Sequence, residues 1–295
     1  MAGLAIVTGA TGGLGYETAL GLARGGYRVL LTGRNPGRGA DATRRALAAA
    51  PGSSIRFGLL DVASLASVEA FAGTIDEPVA VLVNNAGVMA TPTRELTVDG
   101  FEKQLGTNYL GHFALTARLL HRLGEGRVVN VSSLAHRRGV IRFDDLQSAR
   151  SYDPWRAYAQ SKLAMLMFGI ELQDRCTASG GGASGWGLTS VSAHPGWSAT
   201  RIVSNGPGGG RPGLKERIMQ AGFNALGQSA AEGARPILLA ATDAAATPGG
   251  YYGPCCFGET RGAPAPSKVM PNAQDPVARK RLWDVSEEVT GVRFA

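Results

Sequence analysis

The chain has 295 residues, 44% of them hydrophobic, with a formal net charge of +7, enough apolar material for a substantial core within one domain. It contains no run of eighteen apolar residues to cross a membrane, and the N-terminus MAGLAIVTGA lacks the basic region and cleavage pattern of a signal peptide, which points to the cytoplasm. The thirty basic residues are scattered without interleaved aromatics, which argues against nucleic acid, and the three cysteines form neither a disulfide framework nor a metal spacing and are expected to be reduced and structural.

Residues Leu4 to Thr8 read as a strand leading into Gly9-Ala10-Thr11-Gly12-Gly13-Leu14-Gly15, followed by a helix to about Arg24. Glycines at a strand-to-helix junction let the backbone approach a diphosphate, and the helix's free amides favour the anion. The spacing is ambiguous, since Gly9, Gly13, Gly15 fit one dinucleotide pattern and Gly9, Gly12, Gly15 another. The second strand, Tyr27 to Leu31, runs into Thr32-Gly33-Arg34 with no carboxylate where a ribose-binding Asp or Glu would select NAD. Arg34 is then read as a partner of a 2′-phosphate, favouring NADP(H) over NAD(H), against the plainer reading of a solvated loop arginine. The positive net charge suits the same coenzyme.

A helix from about Arg38 to Ala49 precedes a third strand, Ile55 to Leu60, ending at Asp61-Val62. Asp61 is read either as a ligand of an adenine amino group or as the cap of the helix starting near Ser64. The fourth strand, Val79 to Val83, ends in Asn84-Asn85-Ala86-Gly87, small residues where a coenzyme needs close approach. These apolar runs suit a parallel sheet covered on both faces. A long helix is expected from about Val98 to Leu123, with Asn108 in its interior marking a kink, a water site or an active-site contact. The fifth strand, Arg127 to Val131, delivers Ser132 and Ser133 to the sheet edge where open α/β sheets bind ligands.

Trp155 to Asp174 reads as one buried helix placing Tyr158 and Lys162 one turn apart on a common face. A nearby ammonium favours the phenolate, so the tyrosine is a candidate acid/base. Tyr-x-x-x-Lys also arises by chance in helices. Tyr152 and Arg156 repeat that spacing, but Pro154 lies between them and arginine stays charged.

TGATGGLG, NNAG, Asn108, Ser133, Tyr158 and Lys162 occur in the order seen in the short-chain dehydrogenase/reductase family, which the chain resembles over most of its length. The resemblance implies a doubly wound, Rossmann-like α/β fold, a parallel sheet of about seven strands with helices on both faces. It implies that Ser133 binds the substrate carbonyl, with Ser132 as runner-up, and that Tyr158 moves the proton. Lys162 would bind the nicotinamide ribose and lower the tyrosine pKa, and Asn108 would hold a water in a proton relay. NNAG and the Tyr-x-x-x-Lys pair resemble the shorter, single-domain branch, which implies the first glycine spacing. Coenzyme contacts are thereby expected at Gly9, Thr11, Gly12, Gly13, Leu14, Gly15, Arg34, Asp61, Val62, Asn84, Ala86, Gly87, Tyr158 and Lys162.

Residues 136–155 form an insertion similar to that of retinol dehydrogenases, protochlorophyllide reductases and WW-domain oxidoreductases. The N-terminal anchor that retinol enzymes often carry is not expected here, because the first strand starts at Leu4. Thr177 to Gly185 reads as a surface loop, and a sixth strand, Leu188 to Ala193, leads to His194-Pro195-Gly196-Trp197-Ser198-Ala199-Thr200. There the resemblance assigns Pro195, Gly196, Ser198 and Thr200 to the nicotinamide amide and phosphates. The four histidines, His112, His121, His136 and His194, show no metal spacing. A segment at about 197–227, with an amphipathic helix from Leu214 to Leu226, is read as a substrate lid or else as a partner-binding or dimer-contact helix.

A helix from Ser229 to Thr242 is expected to kink or turn early at Pro236, Tyr251 to Pro254 resembles the family's last strand, and an amphipathic helix from about Pro276 to Val289 closes a single domain, 1–295. The whole reads as an NADP(H)-dependent oxidoreductase acting on a carbonyl or alcohol of an apolar small molecule, as a homodimer or a monomer. Its competitors are a non-catalytic NADP(H)-binding sensor or scaffold, a C=C reductase of the protochlorophyllide reductase type, and a sugar-nucleotide epimerase, for which the residues after the sixth strand are too few.

Overall fold

Strands with apolar side chains on both faces need a helical layer on each side, and the chain supplies both. The computed structural model describes residues 2–180, 186–197 and 228–294. Strands β1 (Ala2–Val7), β2 (Tyr27–Gly33), β3 (Ile55–Leu59), β4 (Val79–Asn84), β5 (Arg127–Val131), β6 (Thr189–Ala193), β7 (Tyr251–Cys256) and β8 (Arg261–Pro266) make one sheet in the order β3-β2-β1-β4-β5-β6-β7-β8. All neighbours are parallel except β7 and β8. The eighth strand adds to the expected seven. Its sequence RGAPAP carries two prolines, which argue against a central strand but are tolerated at a sheet edge, where they also blunt pairing with other chains.

Helices α1 (Gly13–Arg24), α2 (Pro36–Ala49) and α8 (Ala230–Thr242) cover one face, around Val7, Leu31, Val83 and Val129. The other face, around Ile6, Leu82 and Val128, is covered by α3 (Leu65–Ala72), α5 (Gly111–Arg118), α7 (Pro154–Ala178) and α10 (Pro276–Thr290). Short helices α4 (Lys103–Leu105), α6 (Leu120–Leu123) and α9 (Pro271–Gln274) complete the described set.

Three expectations are corrected. The helix awaited from Val98 begins at Lys103, capped by the buried Glu102 carboxylate, which accepts from Gln104 N at 2.9 Å and Leu105 N at 2.7 Å. It then opens into a π-helical turn, Gly106–Leu110, that contains Asn108. Helix α8 does not end at Pro236 but continues to Thr242, its start anchored by a capping box between Ser229 and Glu232 and its side packed closely by α1, Gly21 against Leu238. Of the cysteines only Cys176 is buried; Cys255 and Cys256 are exposed at the end of β7.

The insertion is tied down along its length. Asp145 accepts from the amides of Ala149 and Arg150 at 2.7 and 3.1 Å, Gln160 Nε2 donates to Leu146 O at 2.9 Å, and the Asn272 amide donates to the carbonyls of His136 and Gly139, both at 2.9 Å. Tyr152, the decoy, is spent on Thr91 and Gln104. Helix α10 packs against α5 and α7. Trp283, 1% exposed, meets Phe294 at 4.4 Å and Phe113 at 5.2 Å between ring centroids, and Arg175 lies 4.2 Å over its indole. The Trp283→Ala variant is expected to lose about 3–5 kcal/mol of unfolding free energy, measured by urea denaturation.

Candidate active site

Because β1 and β4 are neighbours while the chain winds outward from them in both directions, the sheet has a switch point between these two strands. The carboxyl ends of β1, β2, β3, β4, β5 and β6 deliver Thr8, Arg34, Asp61, Asn85, Ser132-Ser133 and His194-Pro195 to one edge. A cleft of about 770 Å3 opens there, lined by Leu14, Asn85, Gly87, Ser133, Tyr158, Lys162 and Pro195 among others. That volume suits a small-molecule site.

Gly9 and Gly13 have φ of +65° and +58°, and a Cβ on Gly15 would meet Asn85 Nδ2 at 2.5 Å and Gly9 O at 2.6 Å, whereas one on Gly12 would meet nothing within 4 Å. The positions that require glycine are therefore Gly9, Gly13 and Gly15, which decides between the two spacings on steric grounds. Helix α1 starts with no side-chain cap, which leaves its amino end open to an anion.

Thr8 ties β1 to β4. Its Oγ1 accepts from Asn85 N at 2.8 Å and Ala86 N at 2.9 Å, and lies 2.9 Å from His112 Nε2. Burial pushes the His112 pKa down to about 3, so the ring is neutral. Its Nδ1 faces the Asn108 carbonyl at 3.2 Å, which assigns the proton to Nδ1 and leaves Nε2 to accept from Thr8. The Asn108 amide clamps the loop after β4, with Oδ1 accepting from Val88 N at 2.8 Å and Nδ2 donating to Val88 O and Ser161 Oγ, both at 2.9 Å. Asn84 turns away from the cleft: its Nδ2 donates to Asn130 at 3.0 Å and Thr116 at 3.1 Å, and the neighbouring Asn85 lines the cleft instead.

The two serines have separate tasks. Ser132 is buried and donates to Lys162 O at 2.8 Å, while half-buried Ser133, whose Oγ accepts from Ala135 N at 3.2 Å, lines the cleft with Tyr158. Lys162 Nζ donates to Val131 O at 2.9 Å, and burial lowers its pKa to about 8. Burial raises the Tyr158 phenol above its ordinary value, with the Ser133 hydrogen bond working against it. The expected lowering by Lys162 is thus not the direction found: desolvation of the buried phenol dominates, and the amine is turned to a carbonyl. Trp155 stands edge-on to Tyr158, their centroids 6.3 Å apart.

Asp61 does not cap α3; Ser64 does, accepting from Ser67 N at 3.3 Å, and Asp61 accepts from Ala63 N at 3.0 Å. Arg34 is exposed just beyond β2, and Arg38 is exposed in the first turn of α2. Val62 is buried behind the cleft, pressed by Gly111. Ser198, Thr200 and the lid residues from 198 to 227 lie outside the described residues.

A further polar group escaped sequence reading. The buried His194 ring accepts from Gly196 N at Nδ1, 3.1 Å, and its Nε2 faces Glu259 Oε2 at 3.1 Å and Ser267 Oγ at 3.0 Å, fixing the Pro195-Gly196 turn. Glu259 also pairs with Arg137 at 2.8 Å. No local signal marks a carboxylate on the β7–β8 turn as the partner of residues so distant in the chain.

Residues 3–204 match the short chain dehydrogenase family. The chain belongs to that family. It is 36% identical to retinol dehydrogenase 12 of Bos taurus over 98% of this chain and 86% of that one. An uncharacterised protein of Mycobacterium paratuberculosis shares the fold with a TM-score of 0.79 at 38% identity, covering 99% of this chain and 94% of the other. A variant of actinorhodin polyketide ketoreductase with NADPH has a TM-score of 0.63 at 25% identity, covering 83% and 92%. This short-chain dehydrogenase is therefore an oxidoreductase that uses a nicotinamide dinucleotide. The glycine turn, the uncapped helix and the cleft running on to Lys162 fit such a coenzyme. No described helix is long and apolar enough to cross a membrane.

Although burial pushes the Glu259 carboxyl up, hydrogen bonds from His194 and Lys268 N and the Arg137 charge bring it down to about 2, below the ordinary 4.5. A depressed carboxylate contributes stability above its unfolded pKa, which is lost as pH falls through the folded one. Glu259→Gln is therefore expected to lower the thermal midpoint at pH 7, with a deficit that shrinks toward zero between about pH 4.5 and pH 2, followed by circular dichroism.

Proposed function

We propose that this short-chain dehydrogenase interconverts a carbonyl and an alcohol on an apolar small molecule with NADP(H), Tyr158 acting as the acid/base. The observation that carries the reading is the convergence of Ser133 and Tyr158, two hydroxyl side chains from different elements, on one cleft beside Lys162. A carbonyl oxygen in that place would accept from both hydroxyls. The coenzyme, when bound, supplies or takes up the hydride.

Each residue has a task in this scheme. Ser133 orients the oxygen, Tyr158 gives or takes its proton, and Lys162 meets the ribose and places positive charge near the phenol below about pH 8. Asn108 spends its side-chain amide on Val88 and Ser161, so its contribution to a proton path would come through its main-chain carbonyl. Val88, Met89, Leu134 and Ala135 supply an apolar wall, consistent with the retinol dehydrogenase relative. Coenzyme selection is assigned to Arg34 and Arg38, exposed at the end of β2 and the start of α2 with no carboxylate at the tip of β2.

Following NADPH absorbance against a panel of ketones, aldehydes and quinones tests the reaction. Tyr158→Phe should lower kcat/KM by about 100-fold or more while NADPH affinity, read by fluorescence titration, stays the same; a variant retaining most of its activity removes the acid/base assignment. Replacing Arg34 and Arg38 together by Gln should shrink the preference for NADPH over NADH by about 10-fold, the scale of a lost charge-assisted contact. An unchanged preference would place coenzyme selection elsewhere.

A further inference from the structure

The cleft carries charge that proton and hydride transfer do not use. Arg137, Arg138 and Arg156 line it together with Lys162, and no Asp or Glu does so among the described residues. Arg137 and Arg138 end the short helical turn, Leu134–Arg138, that Ser133 caps, and Arg156 stands in the first turn of α7, two residues before Tyr158. The same elements that set the reacting hydroxyls thus set these guanidinium groups.

Their surroundings differ. Arg137 is compensated by Glu259 at 2.8 Å and also donates to Gly258 O at 3.2 Å. Among the described residues Arg156 reaches only Asp153, at 3.9 Å with its own side chain largely exposed, and that carboxylate is occupied in capping α7 through the amides of Trp155 and Arg156. Arg138 is exposed and has no hydrogen bond or ion pair among the described residues. Several arginines elsewhere share carboxylates, Arg28 and Arg56 on Glu77, Arg44 and Arg45 on Asp41, Arg279 on Glu171 and Asp174. A cation in the first turn of a helix also opposes the positive end of the helix dipole, so Arg156 is not placed for the helix's sake.

We propose that the substrate of this enzyme ends in an anionic oxygen group, a carboxylate or phosphate, which Arg138 and Arg156 hold at the mouth of the cleft while its apolar body lies along Met89, Leu134 and Trp155. The proposal rests on the oxidoreductase reading above and narrows its substrate class to acidic apolar carbonyl compounds and alcohols. The guanidinium fork suits either oxygen acid bidentately. A solvated basic rim would instead show no preference between charged and neutral substrates.

The test compares decanal with the same aldehyde bearing a terminal carboxylate and with one bearing a terminal phosphate ester, reading kcat/KM from NADPH absorbance. One or both anionic aldehydes should exceed decanal by about 10-fold, the effect of one or two partly exposed charge contacts, and the advantage should shrink in high salt. Whichever arm leads identifies the anion. Charge reversal in Arg138→Glu should drive the ratio of anionic to neutral substrate below one, and Arg138→Gln should bring it near one. Equal rates on all three aldehydes, or a ratio insensitive to Arg138→Glu, overturn the anion site while leaving the oxidoreductase reading in place. Were no aldehyde turned over, quenching of Trp155 and Trp197 fluorescence by decanoate against decanol, in the NADPH-loaded protein, reads the same preference. Tighter decanoate binding that Arg138→Glu abolishes would support the site and count against the reaction; no preference would sink the site.

Discussion

The amine of Lys162 lies in the protein interior, donating to the Val131 carbonyl at 2.9 Å where β5 ends, and a buried basic group of this kind tolerates little freedom in its surroundings. Removing it from water has pulled its pKa down to about 8, a cost to the fold that an inert position would avoid by carrying a leucine. The contact also fixes α7 against β5, because Ser132 donates back to the Lys162 carbonyl at 2.8 Å. With helix and strand pinned in both directions, Ser133, the residue after Ser132, and Tyr158, one turn before Lys162, both come to the cleft.

Around that pair the carboxyl edge of the sheet is held by neutral, buried histidines. His112 links Thr8 at the end of β1 to the Asn108 carbonyl in the π-helical turn, and His194 links the Gly196 amide to Glu259. Burial depresses the pKa of both rings, so each can donate through one nitrogen and accept through the other, which a lysine or a carboxylate could not do. The π-helical turn follows the same logic: the backbone widens where the Asn108 amide must reach Val88 and Ser161 together.

Charge is distributed unevenly along the cleft. Arg34 and Arg38 stand exposed beyond β2, and Arg138 and Arg156 line the cleft on the elements that also carry Ser133 and Tyr158. The remaining described lining is mostly apolar, with Lys162 buried at its base and Arg137 neutralised by Glu259. On the readings proposed above, this layout offers anions two separate holds.

Local rules decided much of this protein. The apolar runs of β1 to β6, the glycine turn and the i, i+4 relation of Tyr158 and Lys162 are short-range properties, and backbone periodicity makes them readable from residues alone. The start of α4 and the passage of α8 through Pro236 were not, because a buried Glu102 cap and packing against Gly21 override local preference. Nor was β8, whose prolines are acceptable only at an edge, and edges exist only once a sheet has assembled. The choice of Gly9, Gly13 and Gly15 over Gly12 depended on how near Asn85 and Ala86 come. Asn84 and Asn85 are adjacent in sequence, yet only the tertiary structure turned one inward to Asn130 and the other into the cleft. Glu259, brought to Arg137 and His194 from the far end of the chain, belongs to the same class: such long-range charge pairs follow from strand order, which residue spacing does not encode.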